Sequence, residues 1–260
     1  KMISFVQWPD QPGAEAVFGS VMDSGYDMGH YRIGTYDAQT GSYREFPDFE
    51  VMPGRAYWFL ARDGMDFSVK GVPVNKTTDI DVPLSYNADT DNGWAMIAPP
   101  NDAAYYWGDV EIVVKDGDGS VIMGPRPIRQ LADDNAYIDT RFWQWRSGAY
   151  EAVSDLNAAL KPYNGYWVRA RSANVFLCFP YDMQVAWHNP EVMMGGAAAT
   201  IKQWIKTPFS GPQSAFADAS ADSPPMPMEG LDDEGAFSSE SSGCFIDGIR
   251  GEQIKHSGRK

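Results

Sequence analysis

The sequence predicts a mainly β protein: two related antiparallel β modules, sandwich- or barrel-like, followed by an extended acidic C-terminal tail. Three observations carry this prediction. Short runs rich in Val, Ile, Phe, Tyr and Trp are cut by Gly, Asp, Asn and Pro, which is the texture of strands and turns. The stretch "GRAYWFLAR" (54–62) returns as "NGYWVRARS" (164–172), with Tyr57 and Tyr166 109 positions apart. From residue 207 onward apolar density falls, and Ser, Ala, Asp, Pro and Gly take over.

The first module spans 1–84. It opens on Met2-Ile3, and "YDAQTGSY" (36–43) reads as a hairpin whose Gly41 is free to take a positive φ. Pro53 precedes the Tyr57-Trp58 strand, and Asp63-Gly64 marks a further hairpin. Residues 85–93 form a linker turn. The second module, 94–206, repeats the order. It begins with Met96-Ile97, has a hairpin around Asp118-Gly119, turns at "RSGAY" (146–150), and reaches Tyr166-Trp167 after Pro162. Gly41-Ser42-Tyr43 matches Gly148-Ala149-Tyr150. A repeat of roughly 100 residues is a domain duplication, far longer than a solenoid unit. Helical periodicity is rare; the best candidate is 190–205, where Asn189 serves as cap and Pro190 as first residue, weakened by Gly195-Gly196.

In a strand, neighbouring side chains point to opposite faces. One ring of each Tyr-Trp pair therefore fills its module's core, and the other meets solvent, a neighbouring module or a ligand. This makes Tyr57, Trp58, Tyr166 and Trp167, together with Trp143 and Trp145 of the second module, the candidate ligand-binding residues. Aromatic rings on a β surface can stack on sugar faces, and cross-strand aromatic pairs also hold sheets together.

Between Lys206 and Arg250 there are eight acidic residues and no basic one. Residues 207–243 read as an acidic linker with too little apolar content to offset its ordering entropy. The chain ends in a basic stretch, 244–260, that opens on Cys244-Phe245-Ile246. Nearby Arg250, Lys255, Arg259 and Lys260 favour the thiolate and make Cys244 a candidate attachment point. Cys178, inside "VFLCFP", reads as a small buried hydrophobe.

The landmarks Met-Ile-Ser, Thr-Gly-Ser-Tyr and Pro-Gly-Arg-x-Tyr-Trp resemble modules of large exported proteins of deltaproteobacteria and related phyla. The second unit resembles their partner segment, and the tail "SSGCFIDGIRG" resembles a Cys-Phe-Ile box that closes many such proteins after a Ser/Gly-rich spacer. The tail departs from the commoner form, keeping only Cys244, Phe245 and Ile246. The module resemblance covers about residues 1–180. It implies an extracellular or cell-surface location and a C-terminal place in a larger parent chain. The chain begins "KMISF", and a processed product or a piece of a longer protein is expected.

Chemistry leaves few marks. Net charge is −14 over 260 residues, which disfavours a nucleic-acid partner. No run of 18 apolar residues is present. His30, His188 and His256 have no His or Cys at metal-ligand spacing, and no nucleophile elbow or phosphate fingerprint occurs. "DGDGS" (116–120) and "NADTDNG" (87–93) mimic calcium loops, but the twelfth positions are Pro127 and Ala98 instead of an acid. The expectation is a non-enzymatic module with no cofactor and no metal, serving as a spacer, adhesion or assembly region. Its expected partners are other domains of the parent chain and a polysaccharide or cell-surface protein. The alternatives are a carbohydrate-binding module using exposed Tyr and Trp and, more remotely, an enzyme domain of unknown class.

Overall fold

The computed structural model describes residues 1–19, 30–62, 69–146, 148–185 and 223–228. The candidate helix at 190–205, the hairpin expected at Asp63-Gly64 and the Cys244 tail lie outside the described residues.

The first module is built on a sheet of β1 (Met2–Ser4), β3 (Tyr31–Asp37), β4 (Ser42–Glu45) and β5 (Ala56–Ala61). Between β1 and β3 come β2 (Gln7–Pro9) and a short helix, α1 (Ala14–Phe18). The helix escapes a reading by periodicity because it has one turn's worth of signal. It nonetheless buries Ala14, Val17 and Phe18, the i, i+3, i+4 stripe of an amphipathic segment. After β5 the chain forms β6 (Gly71–Pro73), which pairs with β2, and β7 (Ile80–Pro83).

The second module contains β8 (Trp94–Ile97), β9 (Tyr105–Tyr106), β10 (Glu111–Lys115), β11 (Val121–Pro127), β12 (Phe142–Arg146), β13 (Ala149–Val153), β14 (Ala159–Leu160), β15 (Tyr166–Arg169) and β16 (Val175–Phe179). All pairings between these strands are antiparallel. β7 is the outer strand of the β11-β10-β16-β7 sheet, so it joins the second module although it lies inside the stretch read as the first. Its Val82 belongs to the second module's core. No described helix is long and apolar enough to cross a membrane.

The duplication is visible in strand order. One sheet runs β1-β5-β3-β4, and its counterpart, read from the other edge, runs β8-β15-β12-β13. The register agrees as well. Met2 lies opposite Trp58 and Ile3 opposite Tyr57, just as Met96 lies opposite Trp167 and Ile97 opposite Tyr166. The hairpin pairs Tyr36–Tyr43 and Trp145–Tyr150 are also equivalent. Both hairpins turn on the expected glycine, with φ of +68° at Gly41 and +84° at Gly148. The Asp118-Gly119 hairpin forms between β10 and β11.

Candidate functional site: an aromatic seam between two equivalent sheets

Alternation along the paired strands sorts their side chains into two sets. Ile3, Tyr57 and Phe59 enter the first module's core, with Phe5, Phe18 and Ile33. Ile97, Tyr166 and Val168 enter the second's, with Trp107, Phe142 and Phe179. The other faces of the two sheets meet in a third, shared core that contains Met2, Trp58, Leu60, Trp94, Met96 and Trp167. A strand covered on both faces has to be apolar on both, which is why β5 reads Ala-Tyr-Trp-Phe-Leu-Ala without polar alternation.

The inward tyrosines do a second job. Each anchors the turn that leads into its strand. The backbone N–H of Met52 donates to the Tyr57 hydroxyl at 2.8 Å, and that hydroxyl donates to the Glu50 carbonyl at 2.9 Å. The backbone N–H of Lys161 donates to the Tyr166 hydroxyl, also at 2.8 Å. In both cases the donor is the residue before the matched proline, Pro53 or Pro162. Burial pushes the Tyr166 phenol up to about 12 and that of Tyr57 well above its ordinary range.

The outward tryptophans cross-pack. Trp58 of the first sheet meets Trp145 of the second edge-on, with centroids 5.4 Å apart. Trp167 of the second meets Tyr36 of the first, again edge-on and again at 5.4 Å. Tyr36 and Trp145 hold equivalent hairpin positions, so the two contacts are one contact made twice around a pseudo-twofold axis. The backbone repeats the pattern in isolated bridges, Ile3 with Asn164 and Ile97 with Arg55. Close approach needs a small residue at the seam: a Cβ on Gly165 would lie 2.6 Å from that of Ala56.

Against this seam lies Ser223–Met228, "SPPMPM". The Tyr150 hydroxyl donates to the Pro225 carbonyl at 2.8 Å, and the Tyr43 hydroxyl donates to the Met226 carbonyl at 2.8 Å. Pro224 and Pro227 are buried, and Met228, 3% exposed, is part of the shared core. Burial raises both phenols far above their ordinary range, so both stay protonated donors. The indole N–H groups of Trp58, Trp143 and Trp167 are buried here.

Of the six residues singled out from the sequence, Tyr57, Trp58, Tyr166 and Trp167 are buried, the two tryptophans at 1% and 0% exposure. A sugar in solution cannot stack on any of these four rings. What Trp58 and Trp167 face is the neighbouring module. Trp143 and Trp145 are half-buried on the seam. Exposed rings occur elsewhere, at Trp8, Tyr106 and Tyr181. Sequence reasoning passed over Tyr36 as a contact residue and Ser223–Met228 as a docked one. The signals were present: Tyr43 and Tyr150 align, and Pro-Pro-x-Pro interrupts an acidic Ser/Ala stretch.

The remaining candidates resolve into local structure. Asp116 spends its carboxylate on the N–H groups of Asp118 and Ser120, and Asn87 accepts from the N–H of Asp89, so both calcium-like loops are self-bonded turns. Among the described residues no group of three His, Cys, Asp or Glu is placed to hold a metal. His30 sits in an exposed turn. Cys178 is buried, and burial pushes its thiol up to about 12, which keeps it unreactive. A cleft of about 400 Å³ is lined in part by Asp139, Arg141, Leu156 and Arg171. Its charges are already engaged: Arg141 grips both oxygens of Asp139, and Arg171 donates to the carbonyls of Asp133 and Asn135.

Comparison with protein-family models, with curated proteins and with solved structures gives no match.

Proposed function

We propose that the chain is a non-catalytic spacer, adhesion or assembly module of an exported bacterial surface protein. The observation that carries this reading is the reciprocal packing of Trp58 on Trp145 and Trp167 on Tyr36, around a core that neither module owns alone. Two modules welded in this way act as one body, a useful property in a part that must hold a fixed distance or orientation. The extracellular location rests on the resemblance of the module landmarks and the Cys-Phe-Ile stretch. Surface biotinylation of cells of the source organism tests it. The chain is expected in the labelled fraction, and recovery only from the unlabelled interior would sink the reading.

Carbohydrate binding is a second reading, favoured at one place. Trp8 on β2 is 47% exposed beside its cross-strand neighbour Val72, itself 64% exposed, which leaves an indole available for stacking. Pull-down on insoluble polysaccharides, with Trp8→Ala as the comparison, tests it. Retention that survives the substitution would remove Trp8 from the account.

A further inference from the structure

We propose that the seam is a recognition groove for an extended proline-rich peptide, and that Ser223–Met228 is its ligand, carried on the same chain. This inference stands apart from the spacer reading and does not depend on it.

The peptide is shaped for such a groove before it arrives. Pro224, Pro225 and Pro227 fix their own φ, and Ser223, Pro224 and Met226 are each held extended by the proline that follows. Little backbone entropy remains to be lost on docking. Three of the six residues have no N–H, so the segment offers mainly carbonyl acceptors. The groove offers the complement. Two phenols, kept protonated by burial, donate to the successive carbonyls of Pro225 and Met226. Around them stand aromatic walls from Tyr36, Trp58, Trp145 and Trp167. Aromatic-lined grooves with hydroxyl or indole donors are a general solution for binding polyproline-like ligands.

The end of the peptide is anchored by a break in the symmetry. Opposite Trp167 stands Trp143, but opposite Trp58 stands Gly34. Where the second sheet has an indole, the first has an empty place, and Met228 fills it. A Cβ built on Gly34 would lie 2.9 Å from the Met228 sulfur. A groove with two equivalent tyrosines would otherwise accept a peptide in either direction. The socket over Gly34 exists on one side only and selects one direction.

No strand pairing holds the segment among the described residues, so it lies outside both hydrogen-bonded sheets. Residues 186–222 connect it to the body, a contour of about 120 Å at roughly 3.3 Å per residue, ample for docking on its own seam.

The test uses the full chain and a fluorescein-labelled peptide, Ser-Pro-Pro-Met-Pro-Met. Met228→Asp should expel the resident segment and open the groove, so this variant should bind the peptide about tenfold or more tighter than the native chain does. Adding Tyr43→Phe and Tyr150→Phe to that variant should then weaken binding by about tenfold or more, as two lost hydrogen bonds require. A peptide with alanine at all three prolines should bind poorly. Near-ultraviolet circular dichroism checks that Met228→Asp stays folded. If it does not, the full chain with Pro224, Pro225 and Pro227 all changed to glycine vacates the groove while keeping Met228. Failure of the peptide to bind a folded, vacated chain would overturn the proposal, as would equal binding after loss of both phenols. A native dimer that Met228→Asp dissolves would overturn the same-chain part, because the segment would then come from a second copy.

Discussion

Tyr43 and Tyr150 occupy equivalent positions in two copies of one sheet, and each donates a 2.8 Å hydrogen bond to one of two adjacent carbonyls in a third stretch of chain. The hairpins that carry them make this geometry possible. Tyr43 lies across from Tyr36 and Tyr150 across from Trp145, so both phenols stand beside the ring that crosses the seam. A peptide lying near the pseudo-twofold axis meets one hydroxyl from each side.

Removing either hydroxyl should loosen the segment without unfolding the body. Tyr43→Phe and Tyr150→Phe should each cost about 0.5–1.5 kcal/mol of docking free energy. Hydrogen exchange at Met226 and Met228 should speed up accordingly, with the thermal midpoint nearly unchanged. Equal exchange in the native chain and both variants would show that the hydroxyls do not hold the segment.

The two outward tryptophans should behave as a matched pair. Trp58→Ala and Trp167→Ala should each lower stability by about 3–5 kcal/mol, as expected for large buried aromatics. Double-mutant cycles for Trp58 with Trp145 and for Trp167 with Tyr36 should return similar coupling, about 0.5–1.5 kcal/mol each. Strongly unequal couplings in chemical denaturation would argue against reciprocal packing.

The turn-anchoring tyrosines should also match. Tyr57→Phe and Tyr166→Phe leave the N–H of Met52 or Lys161 without its acceptor, a loss of about 1–3 kcal/mol in each case. Urea unfolding should find the two changes within about 1 kcal/mol of each other. A neutral effect at one site alone would mean that water replaces the phenol there.

Alkaline stability should decline early and steeply. The phenols of Tyr105, Tyr163 and Tyr166 are pushed by burial from 10.0 to about 12 in the folded chain. Below the unfolded value of 10.0 both states hold the proton, and the contribution is fully present. As pH rises from there toward about 12 the unfolded chain releases protons that the folded chain keeps, so stability falls. Thermal midpoints across this range should drop together with the appearance of tyrosinate absorbance. Ionisation of these phenols in a chain that stays folded near its ordinary range would contradict their burial.

At the acid end Asp139 sets the opposite slope. Burial pulls its carboxyl up, but hydrogen bonds from the Arg141 side chain and backbone, with Arg171 nearby, hold it below its ordinary 3.8. Its contribution is therefore present above that value and is lost as pH falls through the lower folded one. Asp139→Asn should cost about 1.5–3 kcal/mol at neutral pH, and that difference should shrink on acidification. A constant difference down the acid limb would show that the charge of Asp139 is not what stabilises the fold.

Local chemistry alone determined much of this protein. Gly41 and Gly148 mark their turns because a hairpin residue at positive φ favours glycine, and Asp116 closes its loop with its own carboxylate. Period-two alternation separated Tyr57 from Trp58 and Tyr166 from Trp167, and the repeated landmarks disclosed the duplication, whose strand register the structure then supplied. Tertiary structure decided the rest. Alternation says which face a ring takes but not what covers that face, so Trp58 and Trp167 could have met solvent or sugar as well as the neighbouring module. β7 crossed to the second module to pair with β16, and that partner lies about 95 residues away, beyond any local signal. The docked stretch was the least legible part. Ser223–Met228 carries too little apolar surface to order itself, and the surface that orders it exists only once two distant hairpins bring Tyr43 and Tyr150 to one seam.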